Sequence, residues 1–317
     1  MPSNDSSALS ADHFVADLDE TPIKAVDAID ESEKPRSSWS DAWDAMRRRP
    51  TFWIAAFLIV VVVVVAVFPG LFTSVEPRAA DLPRSNEGPS AGHLLGFTFQ
   101  GTDVFARIIW GTRASLTVGL LATIIVTIVG IVIGSLAGFY GGWLDAIVSR
   151  VGDIFFAIPT VLGAIVLMSI LPTRTPLTVA LVLSVFAWPQ IARVMRGSVL
   201  SARAADYVTA SAALGVSRFR ILVRHVIPNA ITPVIVVATV SLGTFIVAEA
   251  TLSFLGIGLP TSTMSWGNDI NAARNSLRVA PMPLFWPAAA LSVTVLSFLL
   301  MGDVVRDALD PKARARR

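Results

Sequence analysis

The sequence predicts an all-α, polytopic membrane protein with six transmembrane helices and both termini in the cytoplasm. Of its 317 residues, 54% are apolar and only 15% are charged, against about 45–50% and about 25% in soluble domains. Six stretches lack Asp, Glu, Lys and Arg altogether, and each is close to the about 20 apolar residues that span a bilayer. Arginines cluster before the first stretch and after the fourth, which favours the cytoplasm for both segments. The charge-free stretches are 50–75, 114–144, 154–173, 175–192, 225–248 and 279–302.

The composition excludes several kinds of site. The chain has no cysteine, so disulfides, thiolate metal sites and cysteine nucleophiles are absent. Its three histidines, His13, His93 and His225, fall in three separate polar segments. We therefore expect no metal site and no cofactor bound by this chain.

The N-terminal residues 1–46 hold eleven acidic and three basic side chains with no sustained apolar period. This composition predicts a disordered acidic cytoplasmic tail with a short surface helix near its end. Trp39 and Trp43 lie one helical turn apart just before Arg47–Arg49. That pattern fits a helix on an anionic lipid surface, or a solvated helix with two packed tryptophans.

The remaining chain divides by its charges. We predict the first transmembrane helix at 47–70, an external segment of balanced charge at 71–113, and a five-helix core at 114–312. A basic tail follows at 313–317. Within the core, the arginine-rich loop at 193–229 is assigned to the cytoplasm.

The second span carries Gly130, Gly134 and Gly138 at four-residue spacing. Such a stripe lets another helix approach closely, so it predicts a packing face, with a ligand-binding role as the alternative.

In the third span, Arg150 and Asp153 are one turn apart and predict a structural ion pair rather than a functional one. Pro159 predicts a kink in the same span.

The loop between spans four and five predicts two short helices meeting at a glycine. Residues 203–214 are strong helix formers, and Gly215 stands where a left-handed C-terminal cap belongs. Ser217 is placed to cap the second helix, and Pro228 to end it. The first helix predicts a narrow face suited to a partner's groove, made of Tyr207, Ala210, Ser211 and Leu214.

At these residues the chain resembles the integral membrane subunits of bacterial ABC importers. Their loop motif reads approximately EAA, three residues, Gly, nine residues, an apolar residue and Pro. Here Thr209, Ala210 and Ser211 stand at the EAA positions, Gly215 keeps its spacing, and "HVIPN" ends the motif at 225–229. Thr209 replaces the expected glutamate, so any salt bridge that this glutamate makes in relatives is absent or replaced here.

Further segments resemble the dipeptide and oligopeptide permease family, in the subunit type with an external segment after the first span. The segment 93–116 departs from the family pattern at Phe97, Thr98, Thr102 and Ala106. The segments "AEATLSFLGIGLP" and "SWG" (248–267) and "GDVVRDALDP" (302–311) match closely. The resemblance covers about residues 45–312.

The resemblance implies a type I ABC importer permease fold in the bacterial cytoplasmic membrane. It implies half of a translocation path for di- or oligopeptides, completed by a second homologous permease subunit, two ATPase subunits and an external solute-binding protein. Residues 205–217 would form the coupling helix, with Arg218 nearby. The chain has no G-x-x-x-x-G-K-[ST] motif, so we expect no enzymatic activity of its own, ATP and Mg²⁺ on the partner ATPases, and no nucleic-acid partner.

Glu249 is a carboxylate within an otherwise apolar segment, toward the external end of span five. It is a candidate contact for a peptide's amino terminus, for an arginine of the partner subunit, or for a closed external gate. A structural ion pair is the alternative reading.

Other transport functions remain open at this point. Nickel, glutathione or another small solute is possible, because relatives that move them share these motifs. A proton-coupled secondary transporter would need titratable groups near the midplane and commonly internal repeats. No convincing repeat is present, and only Glu249 approaches such a position.

Overall fold

The computed structural model describes residues 38–309. The predicted disordered tail, apart from its last residues, and the basic tail at 313–317 lie outside this range. By its contacts the chain divides into two units, residues 1–41 and residues 42–317. Helix α1 (Ser38–Arg47) stands where the sequence predicts a short helix before the first span.

The described residues form helices joined by turns, and no strand occurs between residues 38 and 309. Two isolated β-bridges, Ser90 with His93 and Phe97 with Asp103, shape the external segment. Short 3₁₀ turns occur at Pro69–Leu71, Leu82–Arg84 and Arg274–Ser276. The helices after α1 are α2 (Pro50–Val67), α3 (Val104–Tyr140), α4 (Gly142–Ala157), α5 (Thr160–Ile170), α6 (Pro176–Ala202), α7 (Asp206–Ala213), α8 (Arg218–Ile221), α9 (Ile227–Ala230), α10 (Thr232–Phe254), α11 (Trp266–Ala273) and α12 (Met282–Leu309).

Five of these helices are long and apolar enough to cross a membrane: α2, α3, α6, α10 and α12. The successive helices α4 and α5 pass the same test only together, and they are bent by 86° at their junction. Pro159 stands at the junction as the residue before α5, where it has no N–H to continue the ladder of α4. The predicted kink is confirmed, and it is sharp enough to break the span in two.

The packing of α3 against α6 shows that the bent pair crosses the membrane. A Cβ on Gly130 would meet Ile191, one on Gly134 would meet Ala192, and one on Gly138 would meet Arg196. Residue numbers therefore rise together along both helices, which makes α3 and α6 parallel. Parallel helices require the chain between them to return from the end of α3 to the start of α6, a distance of about 40 Å for the 27 residues of α6.

The same contacts confirm that the glycine stripe is a packing face. Any side chain at Gly134 would place its Cβ 2.3 Å from the backbone oxygen of Ala192. Only glycine lets the two backbones approach this closely. The stripe thus fixes α3 against α6 over three successive turns.

The two ends of the membrane region lie on one side. Arg49, which precedes α2, donates a hydrogen bond of 2.5 Å to Asp307 in the last turn of α12. An even number of crossings is needed to bring these positions together. The five long helices and the bent pair give that even number, in agreement with the six predicted spans.

Helix α3 begins ten residues before the charge-free stretch from which its span was predicted. Asp103 caps it, accepting a hydrogen bond of 2.6 Å from the backbone N–H of Ala106, and its other oxygen lies 2.8 Å from His93 Nδ1. Two arginines in the added turns have internal partners. Arg107 pairs with Asp269, and Arg113 donates to the backbone oxygens of Ala66 and Val67. The first part of the predicted external segment at 71–113 is loop, and its last ten residues extend α3.

Candidate functional site

The segment 205–217, for which the coupling role is predicted, contains helix α7, Asp206–Ala213, which is shorter than the predicted helix. Gly215 has φ +79°, as expected of a left-handed cap. Val216 N–H donates to Ser211 O at 3.2 Å and Gly215 N–H donates to Ala212 O at 3.0 Å. These two bonds form a Schellman motif, which satisfies the last carbonyls of α7 and turns the chain toward α8.

The predicted end of the second helix at Pro228 is wrong. Helix α8 continues through a π-helical turn, Leu222–Val226, into α9, and Pro228 lies within α9. Ile227 N–H donates to Leu222 O, one residue further back than in an α-helix. This wider turn lets the chain continue through proline, which has no N–H to donate. Ser217 does stand at the N-cap position of α8, but its side chain makes no capping hydrogen bond.

The segment after α7 anchors the loop to the core. Ile221, Leu222 and Val226 are almost wholly buried in the main apolar cluster. Before α7, the Arg203 guanidinium donates to the backbone oxygens of Gly138, at 2.9 Å, and Phe139, at 3.3 Å. The loop is therefore tied at both ends to the ends of membrane helices.

Helix α7 itself contributes no buried residue. Thr209 and Ala210 are exposed, while Ser211 is half-buried and donates its hydroxyl to Tyr207 O at 2.7 Å. The large apolar side chains around the turn also face outward: Leu214 is 84% exposed, Phe219 64% and Tyr207 41%. Arg218 is exposed beside them. A well-anchored helix that leaves such apolar side chains uncovered is typical of a protein-binding surface.

Ion pairs that the sequence analysis missed hold α6 against α4. Arg196 makes a bidentate pair with Asp145 in the first turn of α4. The predicted partner of Asp153 was Arg150, which does lie 3.9 Å away. Arg193 of α6 is closer, at 2.9 Å. Asp153 therefore joins two helices instead of pairing only within one.

Glu249 lies wholly inside the subunit. Ser253 donates its hydroxyl to Glu249 Oε1 at 2.8 Å, and Ser115 and Ser265 also lie beside the carboxyl group. Oε2 has no hydrogen-bond partner among the described residues. The three roles predicted for Glu249 stay predictions, and direct contact with a peptide or a partner would require this packing to open.

A buried ion pair between Arg107 and Asp269 lies on the same side of the molecule as Glu249. It joins the first turn of α3 to α11, and Asp269 is 6% exposed. Burial raises the pKa of the Asp269 carboxyl, while the charge of Arg107 and its hydrogen bonds act in the opposite direction. The pair lies 162 positions apart in sequence, so no local pattern signals it.

Sequence comparison identifies the family. The family described as "Binding-protein-dependent transport system inner membrane component" matches residues 130–315, which is more than half of the chain. This chain belongs to that family. The family described as "N-terminal TM domain of oligopeptide transport permease C" matches residues 37–89, which include α1, α2 and the start of the external segment. The chain is thus a multi-pass inner-membrane component of a binding-protein-dependent transport system.

Curated relatives of this transport component cover nearly its whole length. It is 35% identical over 290 residues to the oligopeptide transport system permease protein OppC of Bacillus subtilis (strain 168), covering 92% of this chain and 95% of the relative. It is 34% identical over 281 residues to the glutathione transport system permease protein GsiD of Pectobacterium atrosepticum, covering 88% and 93%. It is 35% identical over 283 residues to the GsiD protein of Escherichia coli O157:H7, covering 89% and 93%.

Proposed function

We propose that this chain forms half of the translocation path of an ATP-driven importer for di- or oligopeptides. A second permease subunit would complete the path, two ATPase subunits would bind ATP and Mg²⁺ at the cytoplasmic face, and an external solute-binding protein would deliver the peptide. The observation that carries the proposal is the exposed helix α7, held by buried residues on one side and by Arg203 on the other. A helix held at both ends in this way can be displaced as a rigid unit by a partner protein, without a change in its own fold.

The proposed cargo class is peptide, with glutathione included as a short peptide. The relatives named for oligopeptide and for glutathione transport are equally similar to this chain, at 34–35% identity. The names of these relatives do not favour the alternatives of nickel transport and proton-coupled transport. Competition measures the cargo directly. Uptake of a labelled alanine peptide into vesicles holding the complete complex should be inhibited by unlabelled oligopeptides, and the extent of inhibition by glutathione ranks the two cargoes.

Coupling through α7 is tested by one exposed leucine and a matched control. Leu214 at the end of α7 is 84% exposed, and Leu94 in the external segment is 67% exposed. Leu214→Ser should lower peptide-stimulated ATP hydrolysis and uptake together, because an interface loses an apolar anchor. Leu94→Ser should leave ATP hydrolysis by the assembled complex unchanged. Normal coupling in Leu214→Ser, or uptake by the wild-type complex in the absence of ATP, would refute the proposed function.

A further inference from the structure

A cavity of about 450 Å³ opens at the bend between α4 and α5. The two halves of the broken span form one wall, and α6 and α10 form the other. Its lining includes Gln190 of α6 and Ser241 and Thr244 of α10. The cavity therefore exists because the third span is broken at Pro159.

The polar residues of this lining lie within membrane-spanning helices. Thr244 is at the middle of α10 (232–254), and Gln190 of α6 (176–202) lies one turn before Arg193, toward the cytoplasmic side. Both side chains are exposed. The Thr244 hydroxyl donates to the backbone oxygen of Val240 at 3.5 Å. The Gln190 amide would cost several kcal/mol if it faced hydrocarbon without a partner, so this face is suited to water or a polar ligand rather than to lipid.

Helix α2 shows what a lipid-facing surface looks like in the same chain. At similar depth it exposes only apolar side chains, among them Phe57, Val60 and Val63. Ser292 of α12 is also exposed, outside the cavity, but it donates its hydroxyl to Ala288 O, so the exposed side-chain amide of Gln190 is the feature that sets the cavity apart.

Apart from Arg306 the lining is neutral, and it is partly aromatic. Phe155 and Phe186 pack edge to face across it, with ring centroids 6.0 Å apart. Of the residues that line the cavity only Arg306 carries a charge, and Arg306 stands in the last turn of α12 at the cytoplasmic end. A surface of amide, hydroxyl and aromatic groups can contact peptide backbone and apolar side chains without selecting for charge.

We propose that this cavity is the part of the peptide path contributed by this subunit, and that Gln190 and Thr244 contact the peptide within the membrane. The inference rests on the proposed function. The peptide's amide groups would bond to the Gln190 amide and the Thr244 hydroxyl, while Phe155 and Phe186 would cover its apolar side chains.

The absence of cysteine from the chain makes the test direct. Gln190→Cys and Thr244→Cys each introduce a unique thiol, and Val60→Cys and Ile124→Cys are exposed apolar controls outside the cavity. Each variant is assembled with cysteine-free partners in vesicles and treated with a charged, membrane-impermeant methanethiosulfonate reagent. A charged reagent reaches a thiol only through water, so the cavity thiols should react about tenfold faster than the controls or more.

Peptide protection then separates a path from a mere water pocket. An excess of pentaalanine, with the binding protein and ATP present, should slow labelling at both cavity positions and leave the controls unchanged. Cavity thiols that label no faster than the controls would overturn the inference, because the face would then be covered by lipid or protein. Rapid labelling that pentaalanine does not slow would overturn it as well.

The outcome for the proposed function is read from the wild-type complex in the same vesicles. Absence of ATP-driven pentaalanine uptake there would overturn both the function and this inference, whereas intact uptake with unprotected thiols overturns only the inference.

Gln190→Glu gives a second variant. A carboxylate in the path should raise uptake of trilysine relative to triglutamate several-fold, and an unchanged ratio in a variant that still transports would contradict peptide contact at Gln190.

Discussion

Gly215 offers the sharpest test of the coupling helix, because its effect can be isolated to backbone conformation. Its φ of +79° lies in the left-handed region, and a Cβ built there would meet nothing within 4 Å. Substitution therefore introduces no clash. The cost is conformational, about 1–2 kcal/mol for a residue with a Cβ and at the upper end for a β-branched one.

The predicted result is a graded series. Gly215→Val should disfavour the Schellman turn by about 1–2 kcal/mol, which corresponds to a factor of roughly 5–30 in the population of correctly placed loops. Helix α7 buries no residue fully, and only partly buried side chains such as Val208 and Val216 pack against the core near the turn, so little packing opposes the shift. Gly215→Ala should lose less, and Gly215→Asn should lose least, since asparagine tolerates the left-handed region.

The assay is peptide-stimulated ATP hydrolysis and peptide uptake by the reconstituted complex. Gly197→Val is the matched control, because Gly197 lies within helix α6, away from the left-handed region, and its Cβ would also meet nothing within 4 Å. Full activity in Gly215→Val would refute the assignment of α7 as the coupling helix. Equal damage by asparagine and valine would show instead that the position requires empty space for a partner.

Three further predictions address packing, charge and the buried carboxyl. Gly134→Val should destabilise the subunit by about 1–3 kcal/mol or more through overpacking against Ala192. The thermal unfolding midpoint of the purified complex should fall for this variant and stay unchanged for Gly197→Val. Equal midpoints would contradict the close approach of α3 and α6. Asp269→Asn leaves the Arg107 charge buried and should cost about 3–5 kcal/mol, whereas the double variant Arg107→Met, Asp269→Leu should recover most of that loss; no recovery would argue against a buried pair. Glu249→Gln keeps an acceptor for the Ser253 hydroxyl and should raise basal ATP hydrolysis through a coupling of about 1–3 kcal/mol. Peptide uptake by this variant should persist when the proton gradient is collapsed. Uptake driven by an imposed pH gradient without ATP would contradict the importer function.

The sequence predicts the spans well where long-range contacts matter little. Runs without charge report directly on the hydrocarbon core, and the φ of Gly215 follows from its place after a run of helix formers. The sequence does not predict the start of α3, because charged residues such as Arg107 and Arg113 favour a loop unless the fold supplies partners for them. Those partners, Asp269 and the backbone oxygens at the end of α2, are far away in sequence.

The helix through Pro228 was missed for a different reason. Proline is a reliable stop signal only for regular α-helix, and the π-turn at Leu222–Val226 supplies a geometry that tolerates it. For Glu249, apolar neighbours in sequence indicated an unusual carboxyl group, but its serine partners lie on three different segments, at Ser115, Ser253 and Ser265. Only the assembled packing of α3, α10 and the N-cap of α11 shows that the side chain is enclosed.

The structure also constrains how movement at the coupling helix would reach the cavity. Helix α6 carries Gln190 and runs directly into the loop that precedes α7. Close glycine contacts fix α6 to α3, and the pair of Arg196 with Asp145 fixes it to α4. These constraints resist sliding of α6 along its neighbours. Helix α5 also packs closely on α6, because a Cβ on Gly163 would lie 2.5 Å from the Phe186 ring. A push on α7 would therefore reach the cavity through α6, whose Phe186 and Gln190 form part of its wall.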